Sequence, residues 1–131
     1  MIYQCVSNWY KNRMTQLPEL FTNINTGVYI IGVSDGGERH HAFTAAWVMK
    51  VSFNPPMPAI SINPYNYSYQ LLQAARICTV NVLGQNQLAI AGHFGRNDIA
   101  DKMTGFVWQQ DGTGAPILAV PAWDGGNANC S

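Results

Sequence analysis

Apolar runs of strand length alternate with short polar turns along most of the chain. Gly27–Val33 is continuously apolar and precedes a polar, glycine-containing turn at residues 34–37, which predicts a strand that enters a hairpin. The stretch His41–Phe53 is too long for one flat strand, and small residues in its middle predict a bend. Asn54–Pro56 is expected to end this stretch, because proline has no N–H to donate to a neighbouring strand.

The second half of the chain continues the pattern and adds helical periodicity. Apolar residues recur at helical spacing over Tyr67–Ala75, where Ser68 is expected to help begin a helix. The other predicted elements are helical turns within residues 5–25, strands at Pro58–Asn63, Arg76–Leu83, Gly105–Gln109 and Ala115–Val120, and a helix at Gln87–Phe94. Short, mostly antiparallel strands with two short helices between them predict a small β-barrel and not a βαβ sheet.

Composition excludes several classes of partner. The 131 residues suit one domain. Charged residues make up 11% of the chain, less than half of the usual ~25%, and the formal net charge is zero. We therefore expect no binding to nucleic acid or to an anionic membrane surface. A weakly charged surface favours self-association, so a homo-oligomer is expected.

No metal, disulfide or targeting signal is expected. Cys5, Cys78 and Cys130 have no CxxC spacing, and adjacent residues such as His40 and His41 point to opposite faces of a strand. The first residues lack the pattern of a signal peptide, and no apolar run reaches the about 20 residues of a membrane helix. A cytoplasmic location is the expectation by elimination.

The ordered set of segments from Gly27 to about Leu118 resembles the flavin reductase-like family of FMN-binding split barrels. The segments that carry the resemblance are Thr44–Trp47, Val51–Ser52 followed by Pro55–Pro56, Asn63–Ser68, Asn81–Leu83, His93–Arg96 and Asp101–Met103. Ala46 is a departure, because many members carry serine there. The resemblance implies a mainly β fold, a split antiparallel β-barrel of Greek-key topology with short helices. The chain is expected to divide into an N-terminal helical segment over 1–25, predicted from apolar spacing, the barrel over 26–123, implied by the resemblance, and a tail over 124–131, predicted from its polar composition.

A flavin needs polar groups at its phosphate and ring edge, and apolar cover on its faces. The chain has no GxGxxG or P-loop motif, so the loops of the barrel must supply these groups. The small residues of Thr44–Trp47 suit the ring edge, and Ser68 suits the phosphate because helix N–H groups lie near it. The expected flavin-binding residues are Thr44, Ala45, Ala46, Trp47, Val51, Ser52, Asn63, Tyr67, Ser68, Tyr69, Asn81, Phe94, Arg96 and Lys102.

The resemblance also suggests individual roles. It makes Arg96 and Lys102 the candidate phosphate cations and His93 a candidate nicotinamide contact. No catalytic side chain is expected, because N5 of the flavin carries the chemistry. Structural alternatives stay open: Thr44 as an ordinary strand residue, Trp47 as core or dimer-interface packing, and His93 as a capping or surface histidine. The remaining alternatives are Ser52 as a strand residue, Tyr67 and Tyr69 as rim aromatics, and Arg96 and Lys102 as solvated cations.

The implied function is hydride transfer from NADH or NADPH to FMN, with FAD as a second possibility. A homodimer would pass reduced flavin or electrons to a monooxygenase or another acceptor. Full-length members carry a Gly-Asp-His segment after the region that matches residues 116–118, and this chain does not. The alternative is therefore a non-enzymatic flavin carrier or electron-transfer module without a competent nicotinamide site. A third hypothesis is an interaction module that no longer binds flavin.

Overall fold

The computed structural model describes residues 25–99, 101–118 and the backbone of 128–130. The helical turns predicted before residue 25 and the boundary at 123/124 lie outside the described residues. The strands are β1 Tyr29–Ser34, β2 His40–Ala45, β3 Val48–Phe53, β4 Pro56–Ile60, β5 Cys78–Val82, β6 Trp108–Gln110, β7 Pro116–Leu118 and β8 Ala128–Cys130. The helices are α1 Tyr67–Ala75, a 3-10 turn Gln85–Gln87 and α2 Leu88–Gly95.

The strands form three antiparallel sheets. The main sheet has the order β2-β1-β5-β8, and β3–β4 and β6–β7 are separate hairpins. The prediction of a mainly β fold with two short helices is confirmed within the described residues, where the sheets remain open and do not close into one barrel. None of the described helices is long and apolar enough to cross a membrane.

The bend predicted within His41–Phe53 is confirmed. The stretch divides into β2 and β3, and Ala46 and Trp47 lie between them. The stretch ends at Phe53, so the prediction that Asn54–Pro56 ends it is confirmed. The next strand was predicted to begin at Pro58, which is wrong, because β4 begins at Pro56 and Pro56 pairs with Phe53. Proline is tolerated at the first position of a strand, where its missing N–H is not needed.

Helix α1 has the predicted bounds, but its first turn is capped by a different residue. The side chain of Asn66 accepts a hydrogen bond from the Ser68 N–H at 3.0 Å. At the other end, Arg76 adopts φ 59° and its N–H donates to the Leu72 carbonyl. The expectation that Ser68 begins the helix is therefore wrong, because its side chain is fully buried against the main sheet.

Strand β1 is covered on both faces, which explains why its sequence is continuously apolar. Ile31 packs with Phe43 and with Leu71 of α1 on one face. Ile30 packs with Phe94 of α2 and with Leu118 on the other. The two helices thus lie on opposite sides of the main sheet, each over one half of the core.

Side chains of β5 join the β6–β7 hairpin to the main sheet. The buried amide of Asn81 donates to the Ile30 carbonyl and accepts from the Leu118 N–H, each at 3.0 Å. Thr79 donates its hydroxyl to the Pro116 carbonyl at 2.5 Å. Gly32 makes this approach possible, because a Cβ at that position would collide with the Pro116 carbonyl oxygen.

Candidate functional site

A cavity of about 540 Å³ opens beside the N-terminal end of α1. Residues of three regions line it: β2, the loop that leads into α1, and the loop that follows α2. They are His41, Tyr65, Asn66, Tyr67, Asn97, Ile99 and Lys102. The cavity combines aromatic rings, amides and one cationic side chain, which suits a polar organic ligand with an anionic group.

Lys102 provides the cation of this cavity. Its side chain is only 3% exposed, and Nζ donates to the Phe94 carbonyl at 2.9 Å. Burial lowers the pKa of Lys102, and the negative charge of Asp98 partly opposes that shift. An ammonium group carries three N–H donors and Phe94 takes one of them. A buried cation with remaining donors favours an anion as its neighbour.

His41 lines the cavity next to Lys102. It is 5% exposed, and its Nδ1 lies 2.6 Å from the hydroxyl oxygen of Ser68. The ring of Tyr67 meets the imidazole edge-on, with the centroids 5.1 Å apart. Burial, with a smaller contribution from the positive Lys102, lowers the pKa of His41 to about 4. His41 is therefore neutral at pH 7.

The N-terminal end of α1 borders the same cavity. Asn66 and Tyr67 both line it, so the positive end of the helix dipole is directed towards it. The Asn66 cap takes the Ser68 N–H, and the Tyr69 N–H bonds the Asn66 carbonyl. A helix N-terminus beside a buried lysine is a favourable environment for a phosphate or carboxylate.

Of the three residues predicted to bind the phosphate, only one lines the cavity. Lys102 lines the cavity. Arg96 does not: it is exposed and paired with Asp98, with Nη2 2.5 Å from the carboxylate. The hydroxyl of Ser68 lies behind the cavity wall and is engaged by His41.

Three other predicted residues lie around the start of α1. Tyr67 lines the cavity. The side chain of Asn63 accepts from the Tyr65 N–H at 3.0 Å, and the Tyr69 hydroxyl accepts from Gln73 at 2.9 Å. The Asn63 side chain therefore stabilises the turn before α1, and the Tyr69 hydroxyl pairs with Gln73 one turn further along the helix.

Of the residues predicted for the flavin ring, Thr44–Trp47 lie at the junction of β2 and β3, and Val51 and Ser52 lie further along β3. Thr44 donates its hydroxyl to the Ala91 carbonyl at 2.6 Å, which ties β2 to α2. Ala45 is buried, Ala46 is half-buried, and Trp47 is 72% exposed. Along β3, Val51 is exposed and Ser52 half-buried. The exposure of Trp47 excludes core packing for its side chain within the described residues.

The last three predicted residues have structural contacts. Asn81 is buried between strands, and Phe94 is fully buried in the core. The His93 ring lies 2.9 Å from the Lys102 carbonyl through Nε2 and packs on Phe106. His93 thus holds the backbone of the loop that carries Lys102. The proposed nicotinamide contact of His93 stays a prediction.

Sequence reasoning did not select five of the seven cavity residues: His41, Tyr65, Asn66, Asn97 and Ile99. His41 was weighed only as half of a metal pair with His40. The cap position of Asn66 was detectable, because asparagine directly before a helical pattern is a standard start signal. Nothing in the sequence around Asn97 indicates its place in a cavity.

Comparison with known proteins identifies the family of this chain. The family model described as "Flavin reductase like domain" matches residues 21–123. The chain belongs to the flavin reductase-like family. The prediction of that family from the ordered segments is confirmed.

Relatives within the flavin reductase-like family include named enzymes. The chain is 34% identical over 94 residues to the NADH:riboflavin 5'-phosphate oxidoreductase of Streptomyces pristinaespiralis, covering 70% of this chain and 52% of that protein. It is 31% identical over 96 residues to the High molecular weight rubredoxin of Moorella thermoacetica, covering 71% and 42%. The chain thus spans about half the length of these relatives.

A solved structure has the same fold as this chain. It is the NADH:FAD oxidoreductase of Streptomyces globisporus in complex with NAD and FAD fragments. The TM-score is 0.72 at 28% identity, and the match covers 85% of this chain and 66% of that chain.

Proposed function

We propose that this domain binds FMN and promotes hydride transfer to it from NADH or NADPH. The observation that carries the proposal is the buried Lys102 in a cavity at the N-terminal end of α1. The names of the relatives support it, because the Streptomyces pristinaespiralis protein is named for NADH and riboflavin 5'-phosphate, and the Streptomyces globisporus protein for NADH and FAD. FAD is accordingly a second flavin substrate to test.

The phosphate of FMN occupies the cavity in this proposal. A phosphate monoester carries nearly two negative charges at pH 7, so it matches a buried ammonium and a helix dipole. Arg96 is a weaker candidate than Lys102, because Asp98 already neutralises it at the surface. Tyr67 adds an aromatic wall beside the phosphate.

The ring of the flavin lies at the β2–β3 junction in this proposal. Ala46 is half-buried with a small side chain and Trp47 is exposed at this junction, while Val51 and Ser52 lie further along β3. When bound, the flavin supplies the redox chemistry, while these residues bind and orient its ring. No side chain needs to act as a general acid or base.

The architecture around the site is also part of the proposal. The three sheets belong to a split antiparallel barrel of Greek-key topology over residues 26–123, with a helical segment over 1–25 and a polar tail over 124–131. The likeness to solved flavin reductases supports the barrel. Reduced flavin or electrons pass to a separate acceptor, such as a monooxygenase.

A homodimer forms through the β3–β4 hairpin in this proposal. Met49, Val51 and Phe53 are alternate residues of β3 and all are exposed, with Phe53 at 83%. Trp47 and Met57 extend this exposed apolar surface. A surface of this kind marks a protein–protein contact. The flavin ring then lies at or near the subunit boundary, because the β2–β3 junction adjoins the hairpin.

Flavin binding is tested by comparing Lys102→Met with Arg96→Met. Each variant removes one predicted phosphate cation, and only Lys102 lines the cavity. We expect Lys102→Met to weaken FMN binding by about tenfold or more, and Arg96→Met to change it by less than about threefold. Riboflavin lacks the phosphate and serves as the matched ligand, with unchanged affinity in both variants. Absence of saturable FMN binding to the wild type would overturn the proposal.

Dimer formation is tested by light scattering on Phe53→Lys. We expect the wild type to have the mass of a dimer at micromolar concentration and Phe53→Lys to have that of a monomer. Val107→Lys is the control, because Val107 is equally an exposed apolar residue, at 77%, but lies outside the hairpin. A wild-type monomer with flavin bound would contradict the dimer.

The second candidate function is a flavin-binding electron-transfer module without reductase activity. The relative from Moorella thermoacetica favours it, because its name is not that of a reductase. Anaerobic addition of NADH or NADPH to the FMN-loaded protein separates the two functions. Bleaching of the flavin absorbance at a rate well above that of free FMN supports the reductase, and FMN binding without such bleaching supports the module.

A further inference from the structure

The cavity contains a second nitrogen-bearing side chain, next to Lys102. We infer that His41, oriented by Ser68, donates a hydrogen bond from Nε2 to the anionic group that occupies the cavity. The inference rests on the proposed function insofar as that anion is the FMN phosphate. It assigns a further binding residue and, in Ser68, the positioning residue behind it.

The contacts of the imidazole determine which nitrogen reaches the cavity. Nδ1 is taken by the Ser68 hydroxyl at 2.6 Å. Ser68 is fully buried and does not line the cavity, whereas His41 does. The wall of the cavity is therefore formed by the part of the ring away from Ser68, and that part carries Nε2.

The position of Ser68 in α1 determines where the ring proton lies. A serine hydroxyl inside a helix commonly donates to the carbonyl of the preceding turn. Ser68 is the second residue of α1, so no preceding helical turn offers it a carbonyl. Nδ1 of His41 is then its acceptor, and a neutral imidazole that accepts at Nδ1 carries its proton on Nε2. The result is an N–H group directed into the cavity.

Burial and, to a smaller extent, the neighbouring charges keep His41 neutral. Lys102 disfavours a second positive charge on the ring, and Asp101 partly offsets Lys102. Tyr67 faces the ring edge-on. A neutral N–H donor can stand beside a buried ammonium without repulsion, and both can bond the same anion. Lys102 thus supplies the positive charge, and the N–H of His41 supplies a hydrogen bond of fixed direction to the anion.

Two substitutions separate the nitrogens of His41. Asparagine places an amide near the position of Nδ1, which keeps a partner for Ser68 but removes the donor in the cavity. Glutamine places its amide near Nε2, which keeps the donor and removes the partner of Ser68. We expect His41→Asn to weaken FMN by about tenfold while riboflavin is unchanged, and His41→Gln to retain FMN within about threefold.

The inference is tested by which of the two variants, His41→Asn or His41→Gln, loses more affinity for FMN. If His41 only anchors α1 through Ser68, His41→Gln loses affinity for both flavins and His41→Asn keeps it, and the inference is overturned. A Ser68→Ala variant adds a third comparison. It should weaken FMN relative to riboflavin, because the ring loses its orientation, and equal weakening of both ligands would point to folding alone.

A second measurement distinguishes failure of the inference from failure of the proposed function. Inorganic phosphate is titrated into the wild type while the ¹⁵N and ¹H signals of the His41 ring are followed by NMR. We expect the free protein to show Nε2 protonated and Nδ1 unprotonated, and phosphate to shift the Nε2–H signal saturably. If phosphate does so but FMN does not bind, the anion site stands and the flavin function fails. The opposite tautomer, or no response to either ligand, overturns the inference.

Discussion

Lowering the pH from about 7 to about 4.5 should destabilise this domain, because the His41 imidazole is buried in its neutral form. The folded chain holds the pKa of His41 at about 4, below its ordinary value of 6.5. Between these two values the unfolded chain binds a proton that the folded chain excludes. The associated stability is therefore fully present above pH 6.5 and is lost as the pH falls towards 4.

The size of this effect follows from the distance between the two pKa values. Each pH unit between them corresponds to about 1.4 kcal/mol, so the full loss is up to about 3 kcal/mol. A domain of this size has a total stability of about 5–15 kcal/mol. Acid in this range should therefore visibly lower the urea midpoint, and the positive charge of Lys102 beside the ring helps to produce the effect.

Urea unfolding at several pH values between 4.5 and 7.5 measures the prediction. The carboxylates with lowered pKa values, such as Asp98 at about 2, lose their contribution only below their ordinary 3.8, so they titrate outside this range. His41→Asn is the control, because it cannot take up a proton there. The slope of the unfolding free energy against pH should flatten in that variant. An equal slope in wild type and variant would refute a buried neutral His41.

Three further predictions concern stability and are measured by urea unfolding at pH 7. Gly32→Ala should destabilise by about 2 kcal/mol or more, because its Cβ collides with a backbone oxygen. Gly92 lies on the exposed face of α2 with open space at its Cβ, so Gly92→Ala should stabilise by about 0.5–1 kcal/mol. The same sign for both substitutions would contradict the packing. Asn66→Ala removes the α1 cap and should cost about 1 kcal/mol, and no loss would mean another group caps the helix. Asn81→Ala removes the side-chain partner of two buried backbone groups, the Ile30 carbonyl and the Leu118 N–H, and should cost about 2–4 kcal/mol. Gln109→Ala, at an exposed position, is the control and should leave the stability unchanged.

Local patterns predicted the elements best where local chemistry alone decides the structure. Helix α1 has the predicted bounds because its apolar period and its flanking residues agree. The break between β2 and β3 was predictable from small residues in a long apolar stretch. The start of β4 at Pro56 was not, because it depends on pairing with Phe53 across the hairpin, which is a contact between strands.

The cavity was predictable only in part. Lys102 and Arg96 are both cationic side chains, and both follow helix α2 in the sequence. They differ because Arg96 has Asp98 two residues away as an exposed partner, whereas Lys102 turns inward to the Phe94 carbonyl. His41 is held at the cavity by its hydrogen bond with Ser68, a residue 27 positions further along the chain. The proximity of Asp98 to Arg96 is visible in the sequence, but the inward turn of Lys102 and the contact of His41 with Ser68 are not.

The way in which β7 is attached predicts a local opening of the domain. No strand ladder joins β7 to the main sheet among the described residues; two β5 side chains, Thr79 and Asn81, bond its backbone instead. Such a link can break while the ladders β1–β2 and β1–β5 stay intact, so the β6–β7 hairpin can detach as a unit below the energy of global unfolding. In hydrogen exchange, the Leu118 amide should therefore exchange earlier than the amides of β1. Because Leu118 also covers Phe94, whose carbonyl holds Lys102, each opening would briefly loosen the support of the cavity's cation.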